Sequence, residues 1–319
     1  MFATVLRPGL LAASRSPRVR RTVTGLASTR KLVARFVAGE SEAHAVAATR
    51  ALRDTDRLVS IDYLGEDTTD PAQAAATVDH YLRLLELLTA TVDTGESVRP
   101  LEVSLKLSAL GQALPRSGHA IALEHAHKIC SAADAAGVWV TVDAEDHTTT
   151  DSTLAIVREL RTEFPWLGTV LQAYLHRTED DCREFSGPGS RIRLCKGAYR
   201  EPAAVAFQSK DEVDSSYLRC LDVLMHGRGY PMVATHDPAM LAAARESARS
   251  AAREPGDFEF QMLYGIRADE QLRLAADGHQ VRVYVPYGDE WYGYFMRRLA
   301  ERPANLAFFL RALRPGAHR

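Results

Sequence analysis

The chain has 319 residues, of which 46% are hydrophobic and 25% charged, and a formal net charge of −2. That is enough apolar material for one large barrel or two modest domains, and too much for a disordered polypeptide. So small a net charge provides no field to draw the molecule onto nucleic acid, which is not expected as a partner. The cysteines Cys130, Cys182, Cys195 and Cys220 show no Cys-x-x-Cys spacing, and no run approaches the ~20 apolar residues needed to cross a bilayer. Reduced thiols and a cytoplasmic setting are the expectation.

Residues 1–57 read as an N-terminal helical segment. Arg15, Arg18, Arg20, Arg21, Arg30, Lys31 and Arg35 accumulate there, with no acidic residue before Glu40. A solvated basic helix is the simpler reading; a targeting or membrane-surface role is the alternative.

From residue 58 to 319, β-rich runs alternate with amphipathic segments, the pattern of parallel strands joined by crossover helices. Strands are expected at 59–65, 101–110, 138–146, 169–175, 191–199, 231–237, 258–265 and 280–288. The helix after the first is the best signalled. Asp70 stands at the N-cap, Pro71 at the first helical position, and Tyr81, Leu82, Leu84, Leu85, Leu87 and Leu88 supply an apolar face. Eight strands point to an α/β fold of the (βα)8 TIM-barrel type. An open doubly wound sheet is the alternative, weakened because no G-x-G-x-x-G follows any strand.

Barrel chemistry sits at the carboxyl ends of the strands, so charges embedded in apolar strands carry information. Lys106 interrupts VSLKLSAL, where a surface face is a poor explanation; it is read as the partner of an anionic ligand, with a structural ion pair as the competing reading. Asp143 and Glu145 alternate along VDAED and are expected to share one side of their strand, with His147 two residues on. Arg193 and Cys195 likewise share a face, and Gly197 admits close approach of a ligand to the backbone. Gln172, Thr235, His236, Glu259 and Gln261 complete a ring of polar groups. Asp143, Glu145, His147 and His236 also suit a metal-dependent hydrolase, the competing enzyme class.

In the last helix, Tyr294, Arg297, Arg298 and Glu301 fall at i, i+3, i+4 and i+7, beside an apolar stripe of Trp291, Phe295 and Leu299. Paired arginines repel unless an anion answers them, and their planar forks suit a carboxylate or phosphate. An Arg–Glu301 surface network is the competing reading. These residues reach a barrel enzyme for a small anionic substrate, and stop short of naming substrate or cofactor.

The motifs RFVAGE, VSLKLSALG, VDAED, VLQAYL, RIRLCKGAY, ATHD, FEFQMLYG and VYVPYGDEWYGYFMRRLAERPAN, in this order from about Arg35 to Leu313, resemble the proline dehydrogenase family. The resemblance implies a distorted barrel with its final helix over the mouth, non-covalent FAD, and oxidation of L-proline to 1-pyrroline-5-carboxylate by hydride transfer to flavin N5. By motif position, Lys106, Arg297 and Arg298 look like the grip on the substrate carboxylate, and Tyr284, Tyr294 and Leu263 like neighbours of its ring. Gln172, Arg193, Lys196, Gly197, Ala198, Thr235 and His236 look like flavin contacts. Asp143 and Arg193 are the expected catalytic residues, Asp143 by orienting its neighbours and Arg193 beside the reactive flavin edge. No metal is implied. Electrons are expected to pass to a membrane quinone, through a peripheral contact with the inner face of the cytoplasmic membrane, and the product to a separate pyrroline-5-carboxylate dehydrogenase. Cys195 departs from the family pattern, in which an aliphatic residue is common.

Overall fold

In the computed structural model, residues 33–89 and 98–301 are described, residues 297–301 by their backbone alone. The order is α1 (Glu42–Arg53), β1 (Leu58–Tyr63), α2 (Pro71–Thr89), β2 (Leu101–Leu105), α3 (Gly118–Ala135), β3 (Trp139–Val142), α4 (Thr150–Leu160), β4 (Gly168–Gln172) and α5 (Thr178–Phe185). There follow β5 (Arg191–Cys195), α6 (Lys210–His226), β6 (Tyr230–Ala234), α7 (Pro238–Ser250), β7 (Glu259–Leu263), α8 (Ala268–Ala276), β8 (Gln280–Tyr287) and α9 (Trp291–Glu301). The strands form a closed barrel in sequence order. All neighbours are parallel, and β1 closes against β8 with Leu58 opposite Arg282 and Asp62 opposite Pro286. Closure removes the open-sheet alternative.

All eight expected strands form, and each ends before its expected terminus. The second stops at Leu105 rather than 110 and the third at Val142 rather than 146. After β2 the chain turns back on itself, Ala109 N donating to Lys106 O at 3.1 Å and Leu110 N to Leu107 O at 3.0 Å, while Leu107, Ala109 and Leu110 stay buried. A buried apolar turn continues the hydrophobic run of a buried strand, and composition does not separate the two.

The cap expected at α2 forms, and so does its apolar face except at Leu87, which is 47% exposed. Asp70 Oδ1 accepts from Ala72 N at 2.9 Å, and Tyr81, Leu84, Leu85 and Leu88 are buried. The Tyr81 hydroxyl donates to Ser104 O at 2.7 Å. Val59, Ile61, Val103, Leu105, Val140, Val142, Ile192 and Leu194 belong to one apolar core with α2, α3 and their neighbours. The main core therefore lies between barrel and helices.

Alternation then turns the polar residues inward. The interior holds four carboxylates, Asp62, Glu102, Asp143 and Glu259, and four cations, Lys106, Arg191, Arg193 and Arg282. Most barrels fill this space with branched apolar side chains. At the amino end of the strands Arg282 pairs with Glu259 (Nε–Oε1 2.8 Å) and donates to the carbonyls of Val59, Pro100 and Arg99. Arg191 stacks on Trp139 with its guanidinium carbon 3.7 Å from the ring centre. That end is a salt-bridged plug, and the cavity opens at the other.

Candidate active site

The cavity, about 440 Å³, opens at the carboxyl ends of the strands. Its size suits a small organic ligand or part of a cofactor. Lys106, Asp143, Gln172, Arg193, Lys196, Gly197, Ala198, Thr235, His236, Leu263, Tyr284 and Tyr294 all line it, drawn from seven strands or the loops after them and from α9. By barrel order, the side from β7 through β8 and β1 to β2 brings Leu263, Tyr284 and Lys106 to the cavity, with Tyr294 of α9. Gln172, Lys196, Gly197, Ala198, Thr235 and His236 form another arc.

Arg193 organises the floor. Its Nε donates to Gln261 Oε1 (2.5 Å), Nη1 to Asp143 Oδ1 (2.6 Å) and Ser104 Oγ (2.8 Å), and Nη2 to Glu102 Oε1 (2.6 Å) and Ser60 Oγ (3.2 Å). A guanidinium carries five N–H groups, so these acceptors match its full set, and what it offers the cavity is its positive field. Glu102 below receives Ser60 and Arg193 on one oxygen and Thr141 and Arg191 on the other. Burial alone would raise the Glu102 pKa, but Arg191, Arg193 and Arg282 hold it well below the usual carboxylate range.

Above that floor, Lys106 Nζ lies 2.7 Å from Asp62 Oδ2, 3.8 Å from Asp143 Oδ2 and 3.3 Å from the Tyr284 hydroxyl. Tyr284 in turn donates to Asp143 Oδ2 at 2.7 Å. Burial would neutralise Lys106, but Asp62 and Asp143 more than offset it and its pKa lies above the ordinary lysine value. The structural ion pair weighed against a ligand role for Lys106 is therefore present, and Lys106 also lines the cavity. Asp62 was not singled out in the sequence, although a carboxylate inside VSIDY meets the same criterion as Lys106. Glu102 in LEV and Arg282 in QVRVYV meet it as well.

The expectation that Asp143 and Glu145 share one side is corrected. β3 ends at Val142, residues 143–146 leave the regular strand, and Glu145 faces Ser108, taking its backbone N–H at 3.0 Å and its hydroxyl at 2.5 Å. Burial pushes Glu145 up to about 7, despite the two bonds from Ser108. His147 pairs with Glu201, and His236 Nε2 accepts from Leu263 N at 3.0 Å. The four side chains of the metal alternative thus face four different partners, and no cluster of three or more metal-ligating side chains occurs among the described residues.

The loop after β5 carries the clearest steric signature. Gly197 has φ +109°, and a Cβ there would stand 2.4 Å from the Tyr174 ring. Lys196 Nζ is held by Asp237 Oδ2 at 2.8 Å and by Asp214, while Asp237 caps α7 through Ala239 N at 3.0 Å. Burial pushes the Cys195 thiol up to about 11, so little thiolate forms beside the cavity.

Trp291 and Phe295 of α9 are buried against Val33, Phe36, Val37, Leu64 and Ile266, and Tyr294 reaches the cavity from the same helix. The apolar stripe is therefore an anchor. The side chains of Arg297, Arg298, Leu299 and Glu301 lie outside the described residues, as do the N-terminal basic residues up to Lys31. No helix among the described residues is long and apolar enough to cross a membrane.

Comparison with known proteins gives one answer. The family model described as proline dehydrogenase matches residues 45–311. Proline dehydrogenase 1 of Bacillus subtilis (strain 168) is 39% identical over 285 residues, covering 89% of this chain and 91% of that protein. The proline dehydrogenase of Deinococcus radiodurans is 38% identical over 320 residues, covering 99% and 100%. Among solved structures, proline utilization A from Bdellovibrio bacteriovorus, inactivated by N-propargylglycine, superposes with a TM-score of 0.78 at 25% identity. The match covers 86% of this chain and 33% of that one, so this chain spans about a third of that protein's length. With the model matched over most of the chain and two relatives near 40% identity, the chain belongs to the proline dehydrogenase family, oxidoreductases that act on proline.

Proposed function

We propose that the cavity holds FAD with L-proline against it, and that the product is 1-pyrroline-5-carboxylate. The observation that carries this reading is the division of one cavity into two walls. Lys106, Tyr284, Leu263 and Tyr294 offer a cation and apolar surface for a small ring with a carboxylate, and the arc from Gln172 to His236 offers polar groups and the backbone of the loop at Gly197 for a larger planar partner. The fit to a flavin rests on the loop at Gly197 and Ala198, which lines the cavity with Tyr174 filling the space a side chain at 197 would take, so that backbone faces the ligand there, and on the positive charge of Arg193 at the floor.

When bound, FAD would supply the two-electron acceptor, at N5, for hydride from the ring carbon next to the proline nitrogen. The protein's residues position and polarise. Lys106 meets the substrate carboxylate with the help of Arg297 and Arg298, one turn beyond Tyr294 on α9. Leu263, Tyr284 and Tyr294 pack the ring and exclude water. Asp143 holds Arg193, Ser104 and Tyr284 in one network and orients them rather than moving a proton. Arg193 places positive charge at the cavity floor, where it would stabilise negative charge on a flavin held above it. Electrons then pass to quinone through a peripheral contact of a cytoplasmic protein with the membrane, and the product to a separate pyrroline-5-carboxylate dehydrogenase.

An anaerobic absorbance spectrum before and after L-proline tests this reading: a yellow protein whose flavin band bleaches is expected, and a colourless protein, or a band indifferent to proline, overturns it. Arg297→Met should weaken proline binding at least tenfold with flavin content unchanged; unaltered binding would remove α9 from the carboxylate site.

A further inference from the structure

Resting on the reading of the cavity as a carboxylate site, one buried group has no task in the reaction as derived. Asp62 and Asp143 share the single ammonium of Lys106, at 2.7 and 3.8 Å. Asp143 is otherwise well supplied, receiving Arg193 at 2.6 Å, Ser104 at 2.7 Å and Tyr284 at 2.7 Å. Asp62 is 0% exposed, its Oδ2 takes Lys106, and its Oδ1 has no hydrogen-bond partner among the described residues. A buried carboxylate oxygen without a donor is costly as an anion and far less so as an acid.

The groups facing Asp62 are Lys106 from the turn after β2, Asp143 from the end of β3, Tyr284 and Tyr287 of β8, and Tyr81 of α2. Lys106 is the one cation in that set, among the described residues. A ligand carboxylate that engages Lys106 is a third anion within ion-pair reach of that ammonium, on which Glu66 of the cavity lining also acts from farther off. Of the two resident carboxylates, Asp62 has the fewest donors to lose.

We propose that Asp62 is a positioning residue that takes up a proton from solvent when a carboxylate engages Lys106, releasing the ammonium to the ligand. The balance is one ligand carboxylate and one proton bound together, with no bond broken beyond the Asp62–Lys106 ion pair. Burial, opposed by Lys106 and aided by Asp143, already brings Asp62 to about 6, so a modest further rise reaches neutral pH. Linkage is reciprocal: ligand raises proton affinity, and protons raise ligand affinity.

The test uses the flavin-loaded protein and cyclopentanecarboxylate, a ring acid with no amine to titrate. Calorimetry in buffers of different ionisation enthalpy should show proton uptake on binding near pH 7. Affinity should fall between pH 6 and pH 8, by at most about tenfold per pH unit for one linked proton. Asp62→Asn should abolish the uptake and flatten the pH dependence, and Glu145→Gln, which alters the other buried acid of raised pKa, should retain both. Should Asp62→Asn fail to fold, infrared difference spectra of the wild-type protein and Glu145→Gln decide, because ligand binding should create the carbonyl stretch of a protonated carboxylic acid, which histidine titration cannot. Binding without proton uptake, or uptake that survives Asp62→Asn, overturns the proposal. If L-proline bleaches the flavin while ring-acid binding is absent or independent of pH, the Asp62 assignment alone falls; if proline does not bleach it and the ring acid does not bind, the carboxylate-site reading falls and takes this with it.

Discussion

Single residues in this barrel are held by opposite charges in a water-poor interior, and that sets the sign of their pH behaviour. Glu102 accepts four hydrogen bonds from Ser60, Thr141, Arg191 and Arg193. Its folded pKa lies below its unfolded value, so the stability it contributes is full above the ordinary glutamate pKa of about 4.3 and is lost as pH falls toward the folded value. Glu102→Gln should therefore cost about 3–5 kcal/mol at pH 7, because it strands buried guanidinium charge. The gap to wild type should narrow below roughly pH 4, as denaturant midpoints at the two pH values would show. Asp62 has the opposite sign, its folded pKa being raised, so its ionisation weakens the fold as pH rises through about 6.

At the scale of elements, two pieces of the cavity depend on local packing. The loop after β5 passes over Tyr174 at Gly197, which a side chain would strike. Gly197→Ala should keep the barrel folded, strain the loop by roughly 1–3 kcal/mol and lower flavin content, read as the ratio of flavin to protein absorbance. The final helix is pinned by Trp291 and Phe295 beneath Phe36 and Val37. Phe295→Ala removes a fully buried ring, a change costing about 3–5 kcal/mol, and the cost should fall on the docking of α9. The expected outcome is a proline KM raised at least tenfold with flavin content nearly unchanged, because Tyr294 and the arginines that follow it travel with the helix.

For the whole molecule, the two ends of the barrel divide the work. Arg282 at the amino end ties β7 to β8 through Glu259 and reaches the carbonyls of Val59, Pro100 and Arg99. It lies on the opposite side of the floor from the cavity. Arg282→Met should destabilise the protein by about 3–5 kcal/mol, seen as a large drop in Tm, while the proline KM of the folded fraction stays within about twofold of wild type. A large KM change at unaltered stability would show that plug and site are coupled.

Much of this was legible in the chain itself. Eight apolar runs alternating with amphipathic segments, and Asp70 with Pro71 ahead of a leucine-rich face, specify strands, helices and their order, because hydrophobic period and capping chemistry are local properties. The motif residues of the cavity, from Lys106 to Tyr294, were identifiable by the same local reading joined to the family resemblance. Only the tertiary structure decided where each strand stops, because the buried turn after Leu105 is as apolar as the strand before it. It also decided that Glu145 leaves Asp143 for Ser108, that Asp62 stands behind Lys106, and that Arg193 is matched by acceptors from β1, β2, β7 and the end of β3. Such partners lie up to 133 residues apart in the chain; barrel closure brings them together, and no local pattern encodes which buried charge will meet which.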